Sequence, residues 1–252
     1  MQDNYEGGVS IRANIPWDKN PFANCNPSSP SDPCLAEWNT THTGPYGEGG
    51  APLAMWFKSS VSENANSDIF FFGAANAEFR GYWPGYSTAM VPNTTFFWSM
   101  VKMQMGNEAG TVKLRSANPR DTPLIDFNWF EQNGDRDLTA LAEGAEFAMK
   151  VFDKMGEPYA PYKVVEPTPG LPVKQALKDN VFSHHVTSTC RMGPAGDKNY
   201  CVDSKFKVNG IDGLRVVDAS IFPRTPGAFP VAPTFVVSRK AFHQLMSELK
   251  HH

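Results

Sequence analysis

The chain has 252 residues, room for one large domain or two small ones at roughly 100–200 residues each. Apolar residues make up 41% and aromatics 12%, which excludes a disordered chain, and 23 basic against 26 acidic residues give a net charge of −3, without the basic face that nucleic-acid binding needs. No stretch approaches the roughly 18 apolar residues of a membrane helix, and Met1-Gln2-Asp3-Asn4-Tyr5-Glu6 has neither the basic start nor the apolar block of a signal peptide.

Residues 1–50 read as a loop-rich lead-in suited to a lid: a short strand over Glu6–Asn14, then irregular chain through Gly50. Cys25 and Cys34 flank a Pro/Ser/Asn/Asp run that one disulfide would close in a secreted protein; two free thiols are the alternative. Asn39-Thr40-Thr41 and Asn93-Thr94-Thr95 are acceptor sequons, which fit a secreted glycoprotein. Residues 51–182 read as a second region, a meandering antiparallel sheet followed by helices. Strand signals fall on Ile69–Phe72, Thr94–Met105 and Gly110–Arg115. Ten aromatic residues crowd this stretch: Phe70, Phe71, Phe72, Phe79, Tyr82, Trp83, Tyr86, Phe96, Phe97 and Trp98. Half of them suit the one buried face of a sheet, and the rest suit the lining of an apolar pocket.

Over 135–155 the period changes to that of a helix, with Leu138, Leu141, Ala142, Ala145, Ala148, Met149 and Phe152 on one side. A second helix is predicted over Val173–Asn180. Residues 183–250 then alternate short strands (Val202-Asp203, Lys207-Val208, Leu214–Asp218) with glycine turns, and close on a helix from about Pro233 to Leu249. His251 and His252, after Lys250, resemble the start of a purification tag. The fold class is α+β.

Three segments carry candidate chemistry. In Ser183-His184-His185-Val186-Thr187-Ser188-Thr189-Cys190-Arg191-Met192-Gly193, adjacent imidazoles suit proton transfer near neutral pH; a packed or exposed histidine pair reads equally well from these residues alone. Leu214–Pro223 ends a strand in Asp218 and small residues, which lets backbone and carboxylate approach a ligand. Pro226–Thr234 feeds a helix whose N-terminus offers free N–H groups. The sequence has no G-x-G-x-x-G, no phosphate-binding G-x-x-x-x-G-K-[ST], no G-x-S-x-G, no CxxC pair and no zinc-ligand spacing, so no metal site is expected.

Taken in order, these segments resemble the C-terminal half of the glucose–methanol–choline (GMC) oxidoreductases. The resemblance rests on His185–Gly193 (His-x-x-x-Thr-Cys-x-Met-Gly), Val202-Asp203, Val208–Asp218 and Pro223–Thr234. It extends to Gly110–Trp129, with Asn118-Pro119-Arg120-Asp121-Thr122-Pro123-Leu124-Ile125-Asp126, to Thr43-Gly44-Pro45, and to Met1-Gln2-Asp3-Asn4, which is similar to an "LQDH" segment. It implies a substrate-binding domain with a mostly antiparallel sheet and flanking helices, plus C-terminal strands and a helix that complete a Rossmann-like FAD domain. The glycine fingerprint that grips the FAD pyrophosphate would lie in an N-terminal half absent from this sequence, so that half is an expected partner.

By the same resemblance His185 is the catalytic base, with His184 as the shifted alternative. Asp218 and Ala219 contact FAD, with backbone of Phe229, Pro230 and Val231 facing the flavin ring. Cys190 is expected to be a free thiol, with Cys201 open. The family usually has His or Asn where Phe229 stands here, and a phenyl ring has no proton to give or take. The implied activity is oxidation of a hydrophobic or aromatic alcohol. The alternatives are a non-redox lyase or cyclase on the same scaffold, or a fragment inactive without its other half.

Overall fold

A computed structural model of the chain describes residues 1–17, 22, 24–47, 53–76, 78, 84–86, 89 and 91–250. The backbone gathers into two compact units. Met1–Tyr5, Lys102–Asp137 and Ser183–His252 make one; Glu6–Val101 and Leu138–Phe182 make the other. The α+β class holds for the whole.

The second unit is built on a five-stranded sheet. Its strands are β1 (Glu6–Arg12), β2 (Leu53–Phe57), β3 (Ile69–Ala75), β4 (Thr95–Lys102) and β7 (Lys163–Glu166), in the order β2-β3-β4-β1-β7. β1 pairs antiparallel with both β4 and β7, and β2 with β3. This corrects the expected meander: β2, β3 and β4 are neighbours, but the N-terminal strand inserts between β4 and β7. The predicted strand at Gly110–Arg115 leaves this sheet altogether. It forms β5 (Thr111–Lys113), which pairs with β6 (Leu124–Asp126) in a separate hairpin.

Register follows apolar alternation. Val9 lies opposite Trp98 and Ile11 opposite Phe96, so these four side chains share a face. Helix α2 (Gly134–Asp153) covers that face with Leu141, Ala145, Ala148 and Phe152, all buried. Gly144 allows the close approach: a Cβ there would sit 3.3 Å from Met100 Sδ and 3.4 Å from Phe71 Cζ. Helix α3 occupies the predicted Val173–Asn180 and buries Ala176 and Leu177. β4 is buried along its whole length, Thr95 and Ser99 included, so the expectation of a single buried sheet face is also corrected. Of the aromatic cluster, Phe71, Phe96, Phe97 and Trp98 are core, Phe70 and Phe72 are half-buried and Tyr86 is exposed; Phe79, Tyr82 and Trp83 lie outside the described residues.

The expected long loop through Gly50 is interrupted by helix α1 (Pro33–Thr41). Asp32 caps it by accepting from the Cys34 and Leu35 amides, and Pro33 takes the first helical position, where a missing N–H costs nothing. The Cys25–Cys34 disulfide forms as anticipated. Glu48, Gly49 and Gly50, like His251 and His252, lie outside the described residues.

In the first unit, Val202, Phe206, Ile221 and Ala241 form a core with Met192, Val216 and Val237 against it. The short strands expected there are reduced to isolated bridges, Val202 with Val208 and Lys207 with Arg215. The chain reverses at Gly210 and Gly213, both at positive φ, before a ladder can extend. Cys190 is not free: it is bonded to Cys201 across a Cα–Cα distance of 4.8 Å. The turns after Pro194 fold Cys201 back until its amide donates to the Arg191 carbonyl, which brings the two thiols within bonding reach. Helix α4 (Val231–Leu249) closes the chain, starting two residues ahead of Pro233. Among the described residues no helix is long and apolar enough to cross a membrane.

Phe71 is fully buried between the sheet and α2. Phe71→Ala is expected to lower unfolding free energy by about 3–5 kcal/mol in urea titrations, the cost of a large unfilled aromatic site. A loss under about 1 kcal/mol would mean that the sheet–helix layer is not the core.

Candidate active site

The Ser183–Gly193 segment is irregular, so its position comes from what it bonds to. At one end Gln2 and Thr187 exchange backbone hydrogen bonds, Gln2 N–H to Thr187 O at 3.0 Å and Thr187 N–H to Gln2 O at 2.8 Å. An extended run alternates sides. Thr187 and His185 are therefore buried while His184 and Val186 are exposed, although the two imidazoles are adjacent in sequence. At the other end the Cys190 amide donates to Ser220 O and the Met192 amide to Ile221 O, both at 2.9 Å. Ser188, at φ 68°, makes the bend between the two runs.

The second segment, Leu214–Pro223, ends in a short 3-10 turn, Ala219–Ile221. Asp218 caps this turn, its carboxylate accepting the Ser220 amide at 2.7 Å. The third, Pro226–Thr234, crosses back beneath the histidines. Thr225 donates its amide to Gln2 Oε1 at 3.0 Å, its hydroxyl lies 3.0 Å from that of Thr187, and Asn4 Nδ2 donates to Gly227 O at 3.0 Å. These bonds carry Phe229 to the histidine, with ring centroids 5.3 Å apart and planes at 79° to the His185 imidazole.

The three segments thereby converge. His184, His185, Ala219, Pro230 and Val231 line a single cavity of about 440 Å³. Thr234, Phe235 and Ser238 of α4 add a wall. Asp218 stands beside this cavity without lining it, and Phe229 meets it through the His185 ring. Sequence reasoning missed the α4 wall and the roles of Gln2, Asp3 and Asn4. The wall has a readable signal: Val231, Thr234, Phe235 and Ser238 stand at i, i+3, i+4 and i+7, one helical face.

Burial, with the neighbouring His184 adding to it, pushes His185 down to about 4; His184 is lowered by burial alone. His185 is therefore uncharged at neutral pH and able to take a proton from a hydroxyl in the cavity. Asp3, which accepts the His185 amide at 2.7 Å, is pushed up to about 6 by burial, against the opposing effect of that hydrogen bond.

The two groups act on stability with opposite signs. His185 is depressed from an ordinary 6.5, so its contribution is complete above that value and is lost as pH falls through about 4. Asp3 is raised from 3.8, so its contribution is complete below 3.8 and is lost as pH rises through about 6. Urea midpoints should fall less between about pH 7 and about pH 4 in His185→Gln than in the parent chain. Equal falls would place the acid sensitivity on another group.

The sequence model described as GMC oxidoreductase matches residues 106–238. A glucose methanol choline oxidoreductase of Aspergillus terreus is 31% identical over 220 residues, covering 82% of this chain and 34% of that protein. An oxygen-dependent choline dehydrogenase of Brucella anthropi is 32% identical over 157 residues, covering 60% of this chain and 28% of that protein. Among solved structures, an Aspergillus oryzae formate oxidase from work on FAD modification superposes with a TM-score of 0.74 at 21% identity, covering 99% of this chain and 47% of that one. The chain thus spans between about a quarter and a half of the length of these relatives. With its family match lying over the histidine loop and the start of α4, the chain belongs to the glucose–methanol–choline oxidoreductases, a family that works with FAD.

Proposed function

We propose that the chain is the catalytic half of an FAD-dependent alcohol oxidoreductase, with His185 as its base, completed by an N-terminal half that supplies the glycine-rich phosphate grip. The observation that carries this reading is a buried, uncharged imidazole opening onto a mostly apolar cavity. Those walls suit a flat ring: Ala219, Pro230 and Val231 present small or rigid surfaces, and the first turn of α4 offers the N–H groups of Val231 and Ala232 to a ring carbonyl. Asp218, engaged with the Ser220 amide, keeps one carboxylate oxygen for a hydroxyl and would repel a phosphate. When bound, FAD supplies a hydride acceptor. His185 takes the substrate hydroxyl proton on a ring nitrogen, which raises electron density on the carbon that gives up hydride. Phe229, edge or face on to that ring, holds the imidazole and offers the substrate an apolar surface.

The substrate we infer is a hydrophobic or aromatic alcohol, because the cavity lining is apolar apart from the histidines and two hydroxyls, Thr234 and Ser238. Two disulfides and exposed acceptor residues Asn39 and Asn93 support passage through an oxidising, glycosylating compartment. One observation favours a second reading. The residue facing His185 is Phe229, where an alkoxide-stabilising donor would be placed for oxidation, so acid–base chemistry without net redox, as in a lyase or cyclase, fits the same geometry.

Anaerobic mixing of the assembled enzyme with substrate decides between them, since bleaching of the flavin occurs only in the redox reading. His185→Ala should slow flavin reduction by about 10²–10⁴-fold while FAD stays bound, and His184→Ala should slow it far less. Unchanged reduction in His185→Ala would remove the base assignment. A higher specificity constant for glucose than for any aryl alcohol would remove the substrate class.

A further inference from the structure

We propose that Gln2, Asp3 and Asn4 form a positioning strap that fixes His185 and the Phe229 loop in a single arrangement; its catalytic meaning rests on reading His185 as the base. Each of the three side chains is buried, with relative exposures of 3%, 8% and 0%. Each bonds to main chain of a segment that has no regular structure of its own. Gln2 Oε1 accepts the Thr225 amide, Asp3 Oδ1 accepts the His185 amide, and Asn4 Nδ2 donates to the Gly227 carbonyl. The main chain of Gln2 pairs with Thr187 in both directions, so the histidine run is gripped two residues past His185 as well as at it.

The strap is itself anchored. Asn4 Nδ2 also donates to Lys102 O at 2.7 Å. Tyr5, 2% exposed, accepts from Asn107 Nδ2 at 3.0 Å and from the Phe130 amide at 2.7 Å through its hydroxyl. Burying polar side chains is costly unless their partners are well placed, so three consecutive ones aimed at two loops are a positional device, not filler. The hydroxyls of Thr187 and Thr225, 3.0 Å apart, tie the two loops to each other behind it.

The bond at Asp3 is the critical one, because it holds the amide of the imidazole-bearing residue itself. What it requires is an acceptor oxygen at Oδ1. Asparagine keeps that oxygen without an ionisable proton, whereas alanine removes the oxygen itself. Without the acceptor, the Ser183–Thr187 run loses its hold on His185 and the imidazole gains water, so its titration should rise toward an ordinary value.

The test uses this chain, with 1H–15N spectra for amide exchange and the His185 ring protons for pH titration, and needs no turnover. In the parent the His185 midpoint is expected at about 4. Asp3→Ala should move it up toward 6.5 and speed His185 amide exchange by about tenfold or more, while α4 amides remain protected. Asp3→Asn should leave both close to the parent, because it keeps the acceptor oxygen that alanine removes. Asn4→Ala should leave the His185 amide protected and shift the Phe229 ring resonances. A folded Asp3→Ala with parental midpoint and exchange overturns the proposal. If Asp3→Ala does not fold, Asp3→Asn decides: a parental midpoint supports the strap, and a midpoint near 6.5 overturns it. Because none of these readouts involves turnover, failure of His185→Ala to slow flavin reduction would remove the base assignment without touching the strap.

Discussion

An imidazole that stays uncharged well below its ordinary 6.5 has to be kept from water, and the unit around His185 is organised by that requirement. Burial strips the main chain of water as well as the ring, so each amide drawn in with the histidine needs a protein acceptor. Asp3 provides one for His185 itself, Gln2 for Thr187, and Ser220 and Ile221 for Cys190 and Met192. The Cys190–Cys201 bridge then limits how far the far end of the segment can drift. Sequence alternation does the rest, because an extended run cannot bury two adjacent side chains on one side. His184 is left at the cavity edge for this reason; burial lowers its own titration, and its charge adds to the lowering that burial imposes on His185.

The sheet unit answers a different constraint, which is register. β1 is held on both sides, by β4 and by β7, and its odd-numbered residues Val9 and Ile11 face the α2 layer. A slip of one residue would turn Val9 and Ile11 away from the face they share with Trp98 and Phe96 and bring Glu6 and Ser10, buried on the other face, onto it. Loss of that apolar match is what holds a strand from the start of the sequence in register with one that follows almost a hundred residues later.

Most regular elements were legible because their residues carry period. α2 has seven apolar residues at helical spacing, and α3 matches its predicted bounds. α1 was hidden by its own start: Asp32-Pro33 looks like loop chemistry, yet the same pair is a good helix cap and first position. The strand order was not legible, since alternation says which residues face inward and nothing about which strand lies alongside. The free thiol at Cys190 was carried over from the family instead of being read from Pro194 and Gly196, whose turns bring Cys201 back. For the site, five of the seven named residues line one cavity. Their convergence was legible only through the family motifs, because spacing along tens of residues of irregular chain carries no geometric information. Gln2, Asp3 and Asn4 were legible only as part of a family segment, since a motif names residues and not the main-chain groups that they reach.

On the proposed reading, the start of α4 suits one end of FAD and not the other. A helix N-terminus attracts an anion through the N–H groups of its first turn. Here Pro230 stands at the cap and Pro233 at the third position, so within that turn only Val231 and Ala232 keep an N–H. The loop ahead of it brings Phe229 against His185, and the ionisable groups lining the cavity are imidazoles held uncharged. Two N–H groups in an apolar surround match a neutral ring carbonyl, whose partial charge needs little solvation. They fall short of a diphosphate, whose charge would need the full turn and a cation besides. On the proposed reading the grip on phosphate therefore belongs to the other half of the enzyme, and what this half contributes is the surface on which proton and hydride chemistry is set in place.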